Sequence, residues 1–212
     1  ELHFCLRNTD LALRHGREVY IAAAKLKEQG FSPDVMLAHS GWGPAMFLKD
    51  IFPKAQLVGY FEWFNRAHGT THDFLPGLSF DINKENAIRV ANAPLLVDLY
   101  SADAGLTPTQ WQKSQFPVEY QEKIRVIHEG VRTETYQPAL GVKLVLPQIG
   151  LDLSQVEELV TYVGRGMESY RGFPQFMQAL ARVLRERPKA HAVIVGPDRI
   201  AYGGPKAPNG KT

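Results

Sequence analysis

Short apolar runs alternate with longer amphipathic stretches along the whole chain. The short runs, bounded by Gly or Pro, have the length and composition of buried strands, whereas apolar residues three or four apart predict helices. Predicted strands occupy residues 34–39, 56–61, 102–106, 124–128, 160–163 and 192–196. Predicted helices occupy residues 8–29, 44–52, 81–100 and 173–186, with a short one after Thr109. We expect Gly30 to end the first helix, Pro44 to lie in the first turn of the second, and Asp81 and Thr109 to cap later ones.

This alternation is typical of parallel sheets with helices on both faces. The expected fold is therefore α/β, with two Rossmann-like parallel-sheet units at residues 1–136 and 157–212. The first unit is expected to lack its opening strand, and the second to be truncated to about β-α-β. Residues 137–156 contain two Pro and two Gly without a sustained period, so they are assigned to an interdomain linker with a hinge. The aromatic and polar stretch 62–76 is expected to be a long functional loop.

Composition and charge exclude several classes of protein. The 212 residues are 44% hydrophobic and 22% charged, which is ordinary for a globular chain. The net charge is +2 and no basic block is present, which argues against nucleic acid as a partner. Cys5 is the single cysteine, so no internal disulfide can form and a reducing compartment is favoured. No apolar run approaches the ~20 residues that span a bilayer.

The two ends of the chain predict that it is a piece of a longer protein. It starts at Glu1 without a Met, and without the basic segment and apolar core of a signal peptide. It ends in residues 203–210, which are rich in Gly and Pro as in an exposed loop. We expect a cytoplasmic location, and contact with the inner face of the membrane stays open.

Residues suited to ligand binding follow the first predicted strand. His39 ends this strand and precedes Gly41, Trp42 and Gly43. Because ligands bind at the carboxyl ends of strands in open α/β sheets, the position suits chemistry. The two glycines can let the backbone approach a ligand closely, or they can serve the turn alone. His39 can equally be a core histidine bonded to a backbone carbonyl, and Trp42 can stack on a ring or fill a core.

The next two strands end in further candidates. Glu62 follows the strand that ends at Phe61, and Thr107 follows the strand at 102–106. Glu62 can accept hydrogen bonds from a ligand hydroxyl, or it can pair with Arg66. Thr107 can line a cleft, or it can serve only in starting the helix that follows.

Two arginines lie in the loop between a predicted strand and a predicted helix. Arg165 and Arg171 flank the loop 164–172, which runs into the helix 173–186. Two guanidinium groups beside a helix N-terminus suit the paired oxygens of a phosphate group. Both arginines can instead be solvent-facing partners of Glu168.

Two segments resemble motifs of one enzyme family. The segment RVIHEGVRTETYQP at residues 125–138 resembles the strand and turn that close the acceptor domain of family 4 glycosyltransferases. Here His128-Glu129 stands where the family often has Pro/Tyr-Asn, and Arg132 replaces the usual Asp. The segment VTYVGRGMESYRGF at residues 160–173 is similar to the first strand and loop of the family's donor domain, with Arg171 in the position of a lysine.

The resemblance implies a retaining GT-B enzyme of a bacterial subgroup, which moves a sugar from a nucleotide-sugar donor to a carbohydrate or lipid-linked acceptor. It implies that His39 is the catalytic residue and points toward the transferred sugar. The residues expected on the acceptor and sugar side are Gly41, Trp42, Gly43, Glu62 and Thr107. Those expected at the donor diphosphate are Gly164, Arg165, Arg171 and Gly172. Neither a cofactor nor a metal is expected.

The donor site is expected to be incomplete in this chain. In the family's donor domain, two Glu eight positions apart hold the sugar and the ribose, and no two Glu in this chain have that spacing. We therefore expect the chain to be inactive alone. A homodimer formed through surfaces that truncation exposes stays open.

Three other functions compete with glycosyl transfer. A dinucleotide-binding oxidoreductase needs a third glycine where Ser169 stands, so that function is weakly supported. A sugar-nucleotide epimerase of the GT-B fold, or a non-catalytic Rossmann-like binding module, would keep the architecture and change the chemistry.

Overall fold

The chain divides into two compact units, Glu1–Val131 and Arg132–Thr212. The computed structural model describes residues 2–70, 72–74, 79–197 and 199. Each unit contains a parallel sheet and helices, so the protein is mixed α/β with Rossmann-like units. Residues 71, 75 and 76 of the expected long loop, and the Gly- and Pro-rich residues 203–210, lie outside the described residues.

Four parallel strands form the sheet of the first unit, and each lies beside the next one along the chain. The strands are β1 Val35–His39, β2 Gln56–Tyr60, β3 Ala104–Thr107 and β4 Ile124–Val126. The helices are α1 Arg7–Glu28, α2 Leu48–Ile51, α3 Ile82–Val90, α4 Ala93–Ser101, α5 Gln110–Gln115 and α6 Val118–Gln121. The register aligns His39, Tyr60, Leu106 and Arg125 in a row across the sheet.

The buried core lies on one face of this sheet. Its largest fully buried side chains are those of Leu57, Phe61, Leu99, Phe116 and Ile124. On the other face Leu37 is 69% exposed and Ile127 is 56% exposed. Within the described residues, the expectation of helices on both faces is therefore wrong for this sheet. Successive strands are added in one direction, and right-handed crossovers then place every connecting helix on the same face.

The predicted helix caps of the first unit are confirmed. Gly30 has a φ of +88°, and its N–H donates to the Lys27 carbonyl while that of Phe31 donates to the Leu26 carbonyl. These two hydrogen bonds form a Schellman motif, which ends α1. The Asp81 carboxylate accepts from Lys84 N–H at 2.8 Å and the Thr109 hydroxyl from Gln112 N–H at 3.1 Å, which begins α3 and α5.

Two helix predictions are wrong in their extent. The helix expected at 44–52 begins only at Leu48, so Pro44 lies in a turn that precedes it. Short-range bonds, such as Met46 N–H to the Gly43 carbonyl, replace the helical pattern there. The helix expected at 81–100 is broken after Val90, because Pro94 has no N–H to continue the helical bonds and its ring crowds the carbonyl four residues before it.

The second unit repeats the strand-helix-strand pattern. β7 Leu159–Val163 pairs in parallel with β8 His191–Val195, and α7 Phe173–Glu186 connects them. The helix prediction is confirmed at both ends, and both strands begin one residue earlier than expected. Inside 137–156, β5 Val145–Leu146 and β6 Leu151–Asp152 form a short antiparallel pair. The assignment of that segment to a linker stays a prediction.

Candidate active site at the carboxyl edge of the first sheet

His39 and Glu62 meet at the carboxyl edge of the first sheet. His39 ends β1, and Glu62 lies two residues past the end of β2, the parallel neighbour of β1. The His39 Nε2 atom lies 3.3 Å from Glu62 Oε2, and the two side chains are 48% and 54% exposed. His39 is therefore not a core residue. Glu62 does not pair with Arg66, whose guanidinium donates to the Gln115 carbonyl at 2.6 and 3.0 Å.

Tyr60 extends this cluster toward the turn that follows β4. Its ring lies edge-on to the His39 ring at 5.2 Å between centroids, and its hydroxyl donates to the Glu129 carboxylate. Burial, and then the hydrogen bond to Glu129, raise the pKa of Tyr60 well above its usual range. Tyr60 thus stays a neutral donor. No role for Tyr60 or Glu129 was predicted, although Glu129 lies in the segment 125–138 that resembles the family's motif. The register that pairs Tyr60 with His39 puts both side chains on the same face of the sheet.

The turn after His39 packs closely against α1. Gly43 has a φ of +106°, and a Cβ added there would lie 2.0 Å from the Ala12 carbonyl oxygen. A Cβ added to Gly16 of α1 would in turn lie 2.9 Å from the Gly43 oxygen. The close backbone approach that the sequence allows at Gly43 is therefore made to a helix of the same chain.

Gly41 and Trp42 lie between this helix contact and the His39–Glu62 pair. Gly41 has a φ of +89°, which favours glycine, and a Cβ added there would lie 3.2 Å from the Leu95 side chain. Trp42 is 62% exposed, so it does not fill the core. Its carbonyl lies 3.2 Å from His15 Nδ1 of α1. The turn is thus fixed by contacts on both sides, with the Trp42 ring exposed.

Asp98 of α4 makes a hydrogen bond to the same turn. Its side chain is fully buried, and Oδ2 accepts from Gly41 N–H at 2.6 Å. Burial raises the pKa of Asp98 to about 6, although the Gly41 hydrogen bond acts in the opposite direction. The sequence prediction missed this residue. The available signal was a carboxylate within the apolar run 95–99 of a helix that faces the core.

Thr107 ends β3 beside the cluster and is fully buried. Its hydroxyl makes no hydrogen bond to the described residues, and the helix cap after β3 is supplied by Thr109. Capping therefore does not explain Thr107. Its role in a ligand cleft stays a prediction.

The four candidates for the donor diphosphate lie in the second unit, between β7 and α7. Gly164 N–H donates to the Val195 carbonyl at 3.0 Å, which ties the start of the loop to β8. The Arg171 Nε–H donates to the buried carboxylate of Glu168 at 3.0 Å, so this alternative pairing does occur. Gly172 adopts the left-handed conformation, φ +71°, immediately before the first residue of α7.

The last of these candidates, Arg165, contributes its carbonyl, which accepts from Arg199 Nε–H at 3.3 Å. Over the residues that the structure describes, no cluster of three or more His, Cys, Asp or Glu side chains could hold a metal ion. Within the same residues, no helix combines the length and the apolar character that crossing a membrane requires.

A family model described as glycosyl transferase family 4 group matches residues 1–136 of the 212. The chain belongs to this family. As a family 4 glycosyltransferase it is an enzyme of glycosyl transfer, and the oxidoreductase, epimerase and non-catalytic alternatives are not favoured. The match includes the whole first sheet with His39, Glu62 and Thr107, and it ends before the arginine loop. No curated protein matches the chain.

Proposed function

We propose that this family 4 glycosyltransferase chain forms the acceptor side of a retaining GT-B enzyme of a bacterial subgroup. The enzyme moves a sugar from a nucleotide-sugar donor to the hydroxyl of a carbohydrate or lipid-linked acceptor. The observation that carries the proposal is the His39–Glu62 pair, because it lies where open α/β sheets bind ligands and inside the region that the family matches.

The proposed chemistry needs charge stabilisation more than a strong nucleophile. As the nucleotide diphosphate departs, positive charge builds on the sugar and negative charge on the phosphate. An exposed imidazole held by a carboxylate can orient a hydroxyl group of the sugar or acceptor, and it can stabilise charge beside it. Glu62 would fix the ring of His39 through Nε2, and Tyr60 would pack edge-on against the same ring.

We propose that the donor diphosphate binds in the second unit, at Gly164, Arg165, Arg171 and Gly172. Two features support this assignment. Glu168 fixes the Arg171 side chain beside Gly172, and Gly172 leads into the N-terminus of the 14-residue helix α7, where backbone N–H groups favour anions. Cationic side chains would then stabilise the departing diphosphate without a metal ion. The Glu pair of the family's donor domain would come from residues that this chain does not contain.

The test uses the full-length enzyme with a panel of UDP-, GDP- and ADP-sugars, and it measures nucleotide release. We expect Arg165→Ala and Arg171→Ala each to lower kcat by about 10²-fold, because each removes a positive charge that would stabilise the departing diphosphate. His39→Ala should lower it by a similar order. Arg187→Ala is the matched control, because Arg187 is an exposed arginine of the same unit paired with Glu158, and it should stay within about twofold of the wild type.

Full turnover in both Arg165→Ala and Arg171→Ala would overturn the assignment of the donor site. Retention is tested separately by proton NMR of the anomeric signal of the first product formed. A product of inverted configuration would remove the retaining mechanism and leave glycosyl transfer itself in place.

A further inference from the structure

Two tryptophans, Trp63 half-buried and Trp111 exposed, form a pair beside the His39–Glu62 cluster. Trp63 follows Glu62 directly, and Trp111 lies in the first turn of α5, after β3. Their ring centroids are 5.3 Å apart with an angle of 45° between the planes, and Trp111 is 49% exposed. Both residues follow the carboxyl ends of neighbouring strands. The pair therefore lies at the edge of the sheet where the proposed acceptor binds.

The phenylalanines near this pair lie in the core or pack against it. Phe116 contacts Phe61 and Phe64 edge-on, at 5.9 and 5.6 Å between ring centroids, and Phe61 and Phe116 are fully buried in the core. The core below the loop is thus already filled by phenylalanines. The tryptophan pair lies outside it, so packing of the core does not account for the two indole rings.

Polar contacts hold the two tryptophans in place from both sides. The Gln112 side-chain amide donates to the Glu62 carbonyl at 2.8 Å, and the Thr109 hydroxyl donates to the other end of the same amide. Arg66 donates twice to the Gln115 carbonyl, at the end of α5. These bonds clamp the loop after β2 to α5 on either side of the tryptophan pair. The two rings are therefore fixed before any ligand binds, which lowers the entropic cost of binding.

The Asn65 backbone adds a third anchor to this loop. The Asn92 side chain, which is almost fully buried, accepts from Asn65 N–H and donates to the Asn65 carbonyl, both at 2.8 Å. The loop that carries Trp63 is thus held in place by hydrogen bonds from several side chains, some of which lie outside the loop.

We propose that the Trp63–Trp111 pair is the stacking surface for a pyranose ring of a saccharide acceptor, with Glu62 accepting from its hydroxyls. The inference rests on the proposed function and narrows its acceptor from a carbohydrate or lipid-linked compound to one that presents a saccharide ring. The flat face of an indole ring suits the apolar C–H face of a pyranose, and an adjacent carboxylate suits the hydroxyls at the rim of that sugar. An aliphatic chain could pack on the two rings, but it would make no hydrogen bond to the half-exposed Glu62 carboxylate or to the Gln112 amide beside them.

The test is saturation-transfer NMR on the chain with methyl glycosides of glucose, mannose, galactose and N-acetylglucosamine. Sorbitol carries hydroxyls without a ring face, and cyclohexanol carries an apolar ring with a single hydroxyl. We expect saturation transfer to at least one methyl pyranoside and none to sorbitol or cyclohexanol. Trp111→Leu, which keeps apolar volume without a flat face, should weaken that binding about tenfold, whereas Trp111→Phe should retain most of it.

Tyr100→Ala is the matched control, because Tyr100 is an 81% exposed aromatic residue in the last turn of α4, near the opposite edge of the sheet. It should leave saccharide binding unchanged, and circular dichroism should show the same fold for each variant. No transfer to any pyranoside, equal binding by the wild type and Trp111→Leu, or transfer to cyclohexanol alone would each overturn the inference. None of these results concerns donor turnover, which has its own assay. Failure of this inference can therefore be told apart from failure of the proposed function.

Discussion

Two aspartates of the first unit show how the surroundings of a carboxylate set its ionisation. Asp98 is fully buried, accepts one hydrogen bond from Gly41, and burial raises its pKa to about 6. Asp103 accepts from Lys49 Nζ at 2.8 Å and from Leu57 N–H at 2.7 Å. Those bonds, with Lys49 first, lower the pKa of Asp103. The two groups therefore have opposite effects on stability as the pH changes.

We predict that Asp98→Asn becomes more stable relative to the wild type as the pH rises from about 4 to about 6. An unfolded Asp titrates near pH ~3.9, so in this window the folded state binds the proton more tightly and loses stability as that proton leaves. The shift to about 6 corresponds to at most about 3 kcal/mol. Urea unfolding of both proteins from pH 4 to pH 8 measures the difference.

Asp103→Asn is a control for which we expect the opposite dependence of stability on pH. The pKa of Asp103 is lowered by folding, so its stabilisation is present above the unfolded pKa and is lost as the pH falls through the folded pKa. The variant should be less stable than the wild type at pH 7, and this difference should shrink in acid. If Asp98→Asn and the wild type keep a constant difference between pH 4 and pH 7, the buried carboxylate is not the cause proposed here.

Some candidates for the site could be predicted one by one from the sequence, but their contacts and the buried Asp98 could not. Position at a strand end singled out His39 and Glu62 from the sequence. That Glu62 meets His39 rather than Arg66 depends on the strand register and on Gln115, which lies 49 residues from Arg66. Such contacts join parts of the chain far apart in sequence, and no local pattern contains them.

At the scale of elements, the periodicity predicted most strands and helices and failed where tertiary contacts decide. The turn after β1 carries Pro44, a good residue for the first helical turn, yet the helix begins at Leu48. The contact of Gly43 with α1 is a long-range constraint on that turn. The interruption after Val90 did have a local signal in Pro94, which the apolar periodicity outweighed.

We predict that Gly43→Ala destabilises the protein by much more than Gly30→Ala. Both glycines have positive φ, +106° and +88°, so both substitutions strain the backbone, at about 1–2 kcal/mol each. Only at Gly43 would the new Cβ also collide, since it would lie 2.0 Å from the Ala12 oxygen, whereas no atom of the described residues lies within 4 Å at Gly30. Separation of α1 from the turn should add several kcal/mol, on the order of 3.

Chemical denaturation of the two variants measures this difference, with circular dichroism to check that each one folds. Equal losses at Gly43 and Gly30 would mean that the α1 contact yields without cost, and that backbone conformation alone explains both glycines.

At the scale of the whole molecule, the repeated α/β pattern predicted the fold class but not the side on which the helices lie. The strands of the first unit follow one another in a single direction, so one face carries the core, to which α1, α2 and α4 contribute side chains. Strand order cannot be deduced from periodicity, because a sheet that reverses its direction of growth has the same pattern of elements. The exposed face with Leu37 and Ile127 is the consequence.

The position of the core gives the last prediction, which concerns the first unit by itself. Every residue of the main hydrophobic cluster lies between Ala23 and Ile124, inside the unit that ends at Val131. A chain of residues 2–131 should therefore unfold cooperatively, with a Tm within about 5 °C of the first-unit transition in the whole chain. A chain ending at Ser101 lacks β3, β4 and the buried Ile124, and should show no cooperative transition. Thermal unfolding followed by circular dichroism separates these cases, and loss of the transition in residues 2–131 would show that the first unit needs residues beyond Val131 to fold.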